Sequence, residues 1–283
     1  MTARGPGGVA ALDGRVVVVT GASAGIGAAA AQALAAAGAR VAVVGRTPAK
    51  TEAVAARCGA APFVCDFARL DSVRDLAAAL VADYGRVDVL ANNAGLYARR
   101  RELTVDGHEL TFQVNHLAPF LLTNLLADHL ADGARVITTS SRAHLAGRVD
   151  RADLESSRRY VAFRAYATTK LENLLFSSEL ARRLDARGVS AAAFHPGSVR
   201  SDFARRGGAV ALVHRTPLGR VVLHSPESGA DTLCWLATAP PDSSWHSGGY
   251  YARRRPARAL EVVGDRGLAG WLWARSAELV GCG

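Results

Sequence analysis

Short runs of β-branched and other apolar residues recur along the chain, at 15–20 (R-V-V-V-V-T), 40–44, 61–65, 87–91, 135–139 and 189–194. Their apolar positions are consecutive rather than alternate, so a strand built from any of them buries both faces. That is the pattern of a parallel sheet covered by helices on each side. Alanine- and leucine-rich stretches of helical length separate the runs. Regular alternation of strand and helix predicts a doubly wound α/β sheet. Residues 1–12, rich in Gly, Ala and Pro, are expected to be a flexible tail, leaving 13–283 as one domain with no linker.

The first strand run leads straight into T-G-A-S-A-G-I-G at 20–27, followed by an alanine-rich helix. Three glycines at this spacing would arise by chance about 0.3 times in such a chain, so the placement carries the signal rather than the letters. Between strand and helix, Gly21 permits a tight turn, while Gly25 and Gly27 let backbone approach a ligand and helix approach sheet. The free N–H groups of the helix start suit a pyrophosphate. Gly21, Ser23, Gly25, Ile26 and Gly27 are therefore candidate cofactor-binding residues of a Rossmann-type fold. The same letters satisfy G-x-S-x-G, the nucleophile elbow of α/β-hydrolases. That alternative fails on placement, because Ser23 follows the first strand and no sheet centre precedes it.

Nineteen residues beyond Gly27, the second strand ends in Gly45-Arg46-Thr47. A carboxylate here would hold ribose hydroxyls and repel a 2′-phosphate, whereas an arginine does the reverse, so Arg46 points to NADP(H). Asp66, ending the third strand, is placed to face the adenine; a turn-forming aspartate is the competing reading.

Composition narrows the class. The chain has 283 residues, 49% hydrophobic and 21% charged, enough for a full core. Its net charge of +9 raises nucleic acid as a partner, but the arginines are scattered, as solvated charge usually is. No nucleic-acid partner is expected. Cys58, Cys65, Cys234 and Cys282 lack C-x-x-C spacing, the eight histidines lack H-E-x-x-H spacing, and neither a disulfide framework nor a metal site is expected. The chain shows no signal sequence and no apolar run long enough to span a bilayer, which with the cysteines predicts a cytoplasmic protein.

Among 34 basic residues only Lys50 and Lys170 are lysines, and Lys170 follows Tyr166 by four residues. Six tyrosines and two lysines would give Tyr-x-x-x-Lys by chance only about 0.04 times. On a helix these positions share a face. An ammonium beside a phenol stabilises the phenolate and lowers its pKa, which makes Tyr166 a candidate general acid/base.

These motifs, with N-N-A-G (92–95), Asn115, T-S-S (139–141), Y-A-T-T-K (166–170) and H-P-G-S-V (195–199), resemble the short-chain dehydrogenase/reductases over nearly the whole chain. The resemblance implies a catalytic set of Asn115, Ser141, Tyr166 and Lys170, with Ser141 chosen over Ser140 because the family uses the second serine. It also implies that Asn92, Ala94 and Gly95 wall the cofactor, that Tyr166 and Lys170 reach it, and that Pro196, Gly197 and Val199 pack beside the nicotinamide. S-S-R-A-H, N-H-L-A-P-F-L-L-T and W-L-W-A-R-S-A-E-L-V-G resemble the retinol-dehydrogenase-like branch, from which this sequence departs in having no N-terminal membrane anchor. Pro119, four residues after Asn115, has no N–H for the Asn115 carbonyl, and in the family that carbonyl holds a water relaying protons to the lysine.

The expected activity is hydride transfer between NADPH and the carbonyl of a small, apolar ketone or aldehyde. A non-catalytic NADP(H) sensor is the alternative. Residues 201–225 are the candidate substrate lid, or else a surface element. The family implies a homo-oligomer, an implication that the retinol-dehydrogenase-like branch weakens.

Overall fold

The computed structural model describes residues 12–197 and 225–282. In chain order the elements that build the sheet and its covering layers are β1 (Val16–Val19), α1 (Gly25–Ala36), β2 (Arg40–Gly45), α2 (Pro48–Cys58), β3 (Ala61–Val64), α3 (Leu70–Tyr84) and β4 (Val87–Asn92). Next come α4 (Leu110–Phe112), a π turn over Gln113–Leu117, α5 (Ala118–Leu125), β5 (Leu130–Thr139) and α6 (Ala162–Leu184). The described chain closes with β6 (Ser190–Phe194), α7 (Pro226–Thr238), β7 (Tyr250–Ala252), β8 (Arg255–Pro256) and α8 (Arg266–Val280).

The strands form one sheet in the order β3-β2-β1-β4-β5-β6-β7-β8, parallel except for the β7–β8 pair. All six expected strands are present. Strands β7 and β8 were not expected, their three and two residues being too short for a pattern to show. The chain runs from β1 outward to β3, then returns to lay β4 on the other side of β1. This reversal opens a crevice at the carboxyl ends of β1 and β4, where such sheets bind ligands.

The V-V-V-V run shows why consecutive apolar residues were needed. Val17 and Val19 pack with Leu34, Val43, Ile137, Phe194 and Leu236 beneath α1 and α7, while Val18 faces the opposite layer with Leu80, Leu90, Leu117 and Leu121. Each face of the strand thus contributes to a separate core, and a single polar substitution in the run would be buried whichever way it pointed. In the second layer α8 lies across α5 and α6. Trp273 stacks on Phe176 at 5.8 Å and meets Phe120 edge-on at 4.9 Å. Asp265 starts that helix by accepting from Leu268 N at 3.0 Å, a stabilising cap.

Two boundaries differ from expectation. Leu12, assigned to the tail, is buried and donates its N–H to the Ala37 carbonyl at 2.9 Å. Strand β5 begins at Leu130 rather than 135, because Leu130 pairs with Val87 ahead of an irregularity that the glycine at 133 allows. The rest of the tail, Val199 and the candidate lid up to residue 224 lie outside the described residues.

Candidate active site

The glycine turn and the loop after β4 close on each other to form the floor of the crevice. Gly21 adopts φ 65°, and a side chain there would come within 2.8 Å of the Ala94 Cα. At Gly27 a Cβ would collide with the Gly21 carbonyl and lie 2.7 Å from Asn93 Nδ2. The small residues are therefore required by close backbone approach, as the sequence pattern anticipated. Thr20 then ties the two segments: its hydroxyl accepts from Asn93 N at 2.9 Å and Ala94 N at 3.0 Å and donates to the Ala91 carbonyl. Asn93 Nδ2 returns a bond to the Thr20 carbonyl at 3.0 Å. Neither Thr20 nor Asn93 was singled out from sequence, since nothing marks a threonine before a glycine turn as a brace.

Above this floor lies a cleft of about 300 Å³ lined by Gly21, Ser23, Ala24, Arg46, Lys50, Asp66, Ala94 and Gly95, among others. The Ala24 side chain offers no cap to the start of α1, so the first-turn N–H groups have no side-chain acceptor there. Arg46 and Lys50, one turn apart at the β2–α2 junction, put two cations on the rim. Lys50 was counted from sequence only as one of two lysines. A cradle emptied of side chains, open helix N–H groups and two cations together fit a dinucleotide with an added phosphate.

The expected cofactor residues divide. Gly21, Ser23, Arg46, Asp66, Ala94 and Gly95 line the cleft. Gly25 takes φ 57° to start the helix, Gly27 lets it approach the turn, and Ile26 is half-buried against the core. Asp66 lines the cleft, and its carboxylate also accepts from Ala68 N at 3.1 Å, the turn bond of the competing reading. Asn92 stands apart: it is buried and its amide donates to Thr123 Oγ1 at 2.9 Å, so it braces α5 and is not among the lining residues. Pro196 and Gly197 follow the carboxyl end of β6, Gly197 with φ 84°.

At the far end of the cleft Tyr97 meets Tyr166 edge-on, with centroids 5.7 Å apart. Tyr166 and Lys170 lie on α6, Ser141 follows β5, and Asn115 sits in the π turn. Three separate segments thus converge. The Ser141 hydroxyl lies near enough to the Tyr166 phenol to favour its ionisation, and the Lys170 ammonium is 5.5 Å from the Tyr166 ring centre. The Ser140 hydroxyl is buried and donates to the Lys170 carbonyl at 2.7 Å, so it is committed to α6, and Ser141 is the serine beside Tyr166. Lys170 Nζ donates to the Thr139 carbonyl at 3.2 Å, an acceptor it shares with Asn173 Nδ2.

Asn115 acts first as a clamp. Its side chain accepts from Leu96 N at 2.7 Å and donates to the Leu96 carbonyl at 3.0 Å and to Thr169 Oγ1 at 3.1 Å, joining the post-β4 loop to α6. A Cβ at Gly95 would lie 3.2 Å from Asn115 Oδ1 and 3.5 Å from Lys170 Nζ, so the glycine gives both side chains room. The π turn begins two residues before Asn115, and the Ala118 N–H closes on the Gln113 carbonyl. Such turns widen the ladder at functional sites, and Pro119 has no N–H to offer Asn115.

Burial sets the charges. It pushes the Tyr166 phenol up to about 12, against which the neighbouring Ser141 hydroxyl pulls it down. The Lys170 ammonium, also buried, is pushed down to about 8. The expectation that the lysine makes the tyrosine acidic is thus not met by this arrangement alone: desolvation outweighs it, and Ser141 is the group that counteracts. An oxygen placed beside Ser141 and Tyr166 would meet two hydroxyls able to donate to it.

A Rossmann-type sheet carrying a cleft over the glycine turn, with a Ser, Tyr and Lys cluster adjoining it through Tyr97 and Gly95, defines an oxidoreductase class of protein. The chain belongs to the short chain dehydrogenase family, whose pattern matches residues 15–209. It is 46% identical, over 95% of its length and 94% of the relative's, to a Streptomyces sp. (strain C5) protein assigned as the daunorubicin C-13 ketoreductase DnrU. It is 37% identical to human retinol dehydrogenase 13, covering 96% of this chain and 86% of that one, which places it in the retinol-dehydrogenase-like branch. A short chain dehydrogenase from Burkholderia cenocepacia J2315, solved in complex with NADP, superposes with a TM-score of 0.66 at 29% identity, over 80% of this chain and 91% of that one. Among the described residues no helix is long and apolar enough to cross a membrane, and no cluster of His, Cys, Asp and Glu could hold a metal ion.

Proposed function

We propose that this protein is an NADP(H)-dependent carbonyl reductase acting on small, apolar ketones or aldehydes. The observation that carries the reading is the grouping of Ser141 and Tyr166 with the buried Lys170 ammonium, reached through Tyr97 from a cleft rimmed by Arg46 and Lys50. NADPH supplies hydride when bound. Gly21, Gly25 and Gly27 admit its pyrophosphate, Arg46 and Lys50 neutralise the 2′-phosphate, and Asp66 flanks the adenine. Ala94, Gly95, Pro196 and Gly197 wall the cofactor. Ser141 donates a hydrogen bond to the substrate oxygen as charge develops on it. Tyr166 gives that oxygen its proton, and Lys170 favours the phenolate that remains. Asn115 holds Leu96 in place and, through its carbonyl, supports proton return to Lys170. The name of the Streptomyces relative supports reduction of a ketone over oxidation of an alcohol. Four unpaired cysteines fit a reducing compartment.

A panel of ketones, aldehydes and alcohols followed by NADPH absorbance, with NADH in parallel, tests the proposal. Carbonyl-dependent NADPH consumption preferred over NADH is the expected result. NADPH binding without turnover of any panel member would instead favour a non-catalytic sensor.

A further inference from the structure

The hydroxyl of Ser141 is useful only if it is held at a fixed position, and its own segment is a short 3-10 turn over Arg142–Ala146 rather than a strand. His144, three residues on, supplies a hold. Its side chain is fully buried, its Nδ1 lies 2.7 Å from the Ser141 carbonyl oxygen, and its backbone N–H donates to the same oxygen at 3.0 Å. A carbonyl only accepts, so Nδ1 carries the proton and Nε2 is left as the acceptor. That Nε2 is buried with no partner, and the ring meets Tyr250 edge-on at 5.1 Å. On the other side, Gly147 approaches Ala167 so closely that a side chain at 147 would strike the Ala167 carbonyl. The turn is therefore pressed between β7 and the first part of α6, with the imidazole wedged inside it.

An unpaired buried nitrogen is unfavourable, and an aliphatic side chain would fill the same space without it. What the imidazole adds is the second bond to Ser141. We infer that His144 is a positioning residue that fixes Ser141 against Tyr166, with Tyr250 of β7 backing its ring. Resting on the proposed reductase activity, this gives a role to β7, a strand that the sequence left unseen. The chain of contacts runs Tyr250, His144, Ser141, Tyr166, and only the last two would touch substrate.

Two variants separate positioning from packing. His144→Leu fills the volume and removes the side-chain donor. His144→Asn keeps a donor near the Nδ1 position but leaves a void. If His144 only packs, activity follows stability and the leucine variant is the better enzyme. Positioning predicts the opposite order: for the best carbonyl substrate of the panel, His144→Leu loses roughly 10- to 100-fold in kcat with its KM for NADPH within about twofold of wild type. His144→Asn, though melting lower than His144→Leu, recovers to within about threefold of wild-type kcat. A leucine variant with wild-type kcat, or an asparagine variant no better than the leucine one, would overturn the inference. Absence of turnover by the wild type would instead remove the reductase reading on which the inference rests.

Discussion

Glu172 lies on α6 two residues past Lys170, fully buried, with neither carboxylate oxygen hydrogen-bonded. Burial raises its pKa well above the ordinary value, and the neighbouring buried Glu109 raises it further. In the folded protein Glu172 therefore keeps its proton at a pH where the unfolded chain has lost it. The sign follows directly: the folded state binds more protons, so stability falls as pH rises above the ordinary glutamate value of about 4.3. Glu172→Leu removes both the unsatisfied group and this linkage. Leaving a buried polar group unpaired costs about 1–3 kcal/mol, and each unit of pH between the unfolded and folded pKa adds about 1.4 kcal/mol. Calorimetry should show the variant melting higher at about pH 7, by roughly 3–8 °C, with a smaller advantage at about pH 4.5. A variant that melts lower at both pH values, or whose advantage does not change between them, would refute the assignment of Glu172 as an uncompensated buried acid.

Two further substitutions probe the site. Lys170→Arg keeps the charge but puts a larger planar group where Gly95 and Asn115 leave little room; it should retain the circular dichroism of the fold and lose roughly 100-fold or more in kcat. Arg46→Asp should weaken NADPH binding by roughly 10- to 100-fold, the worth of one charge-assisted hydrogen bond, and invert the preference toward NADH in a comparison of the two kcat/KM values.

The parts of this molecule that were legible in the sequence are those fixed by local constraints. The strands were readable from their consecutive apolar runs, and all but β3 bury both faces; β3 lies at the sheet edge, where Pro62 and Val64 are exposed against the expectation. The glycine turn was readable because close backbone approach excludes side chains at Gly21 and Gly27. Tyr166 and Lys170 were readable because helix geometry alone puts them on one face. What stayed hidden depends on distant partners. Thr20 braces Asn93 across 73 residues, and β7 is too short to announce itself, though its Tyr250 backs His144. Lys50 looked like a stray lysine until α2 brought it to the rim beside Arg46. Asn92 was carried over from the family motif as a cofactor wall, yet it points its amide to Thr123. The burial of Tyr166 and Lys170 stayed hidden for a related reason: spacing shows that a cation is near, but only the fold shows how deeply both groups are buried.

The central claim, that Tyr166 is the proton donor of an NADPH-dependent carbonyl reductase, is tested most directly by Tyr166→Phe. The variant should lose about 10²- to 10⁴-fold in kcat for carbonyl reduction, the usual worth of a positioned general acid, while its NADPH dissociation constant, read by fluorescence titration, stays within about threefold of wild type. Turnover equal to wild type, with NADPH binding intact, would contradict the account.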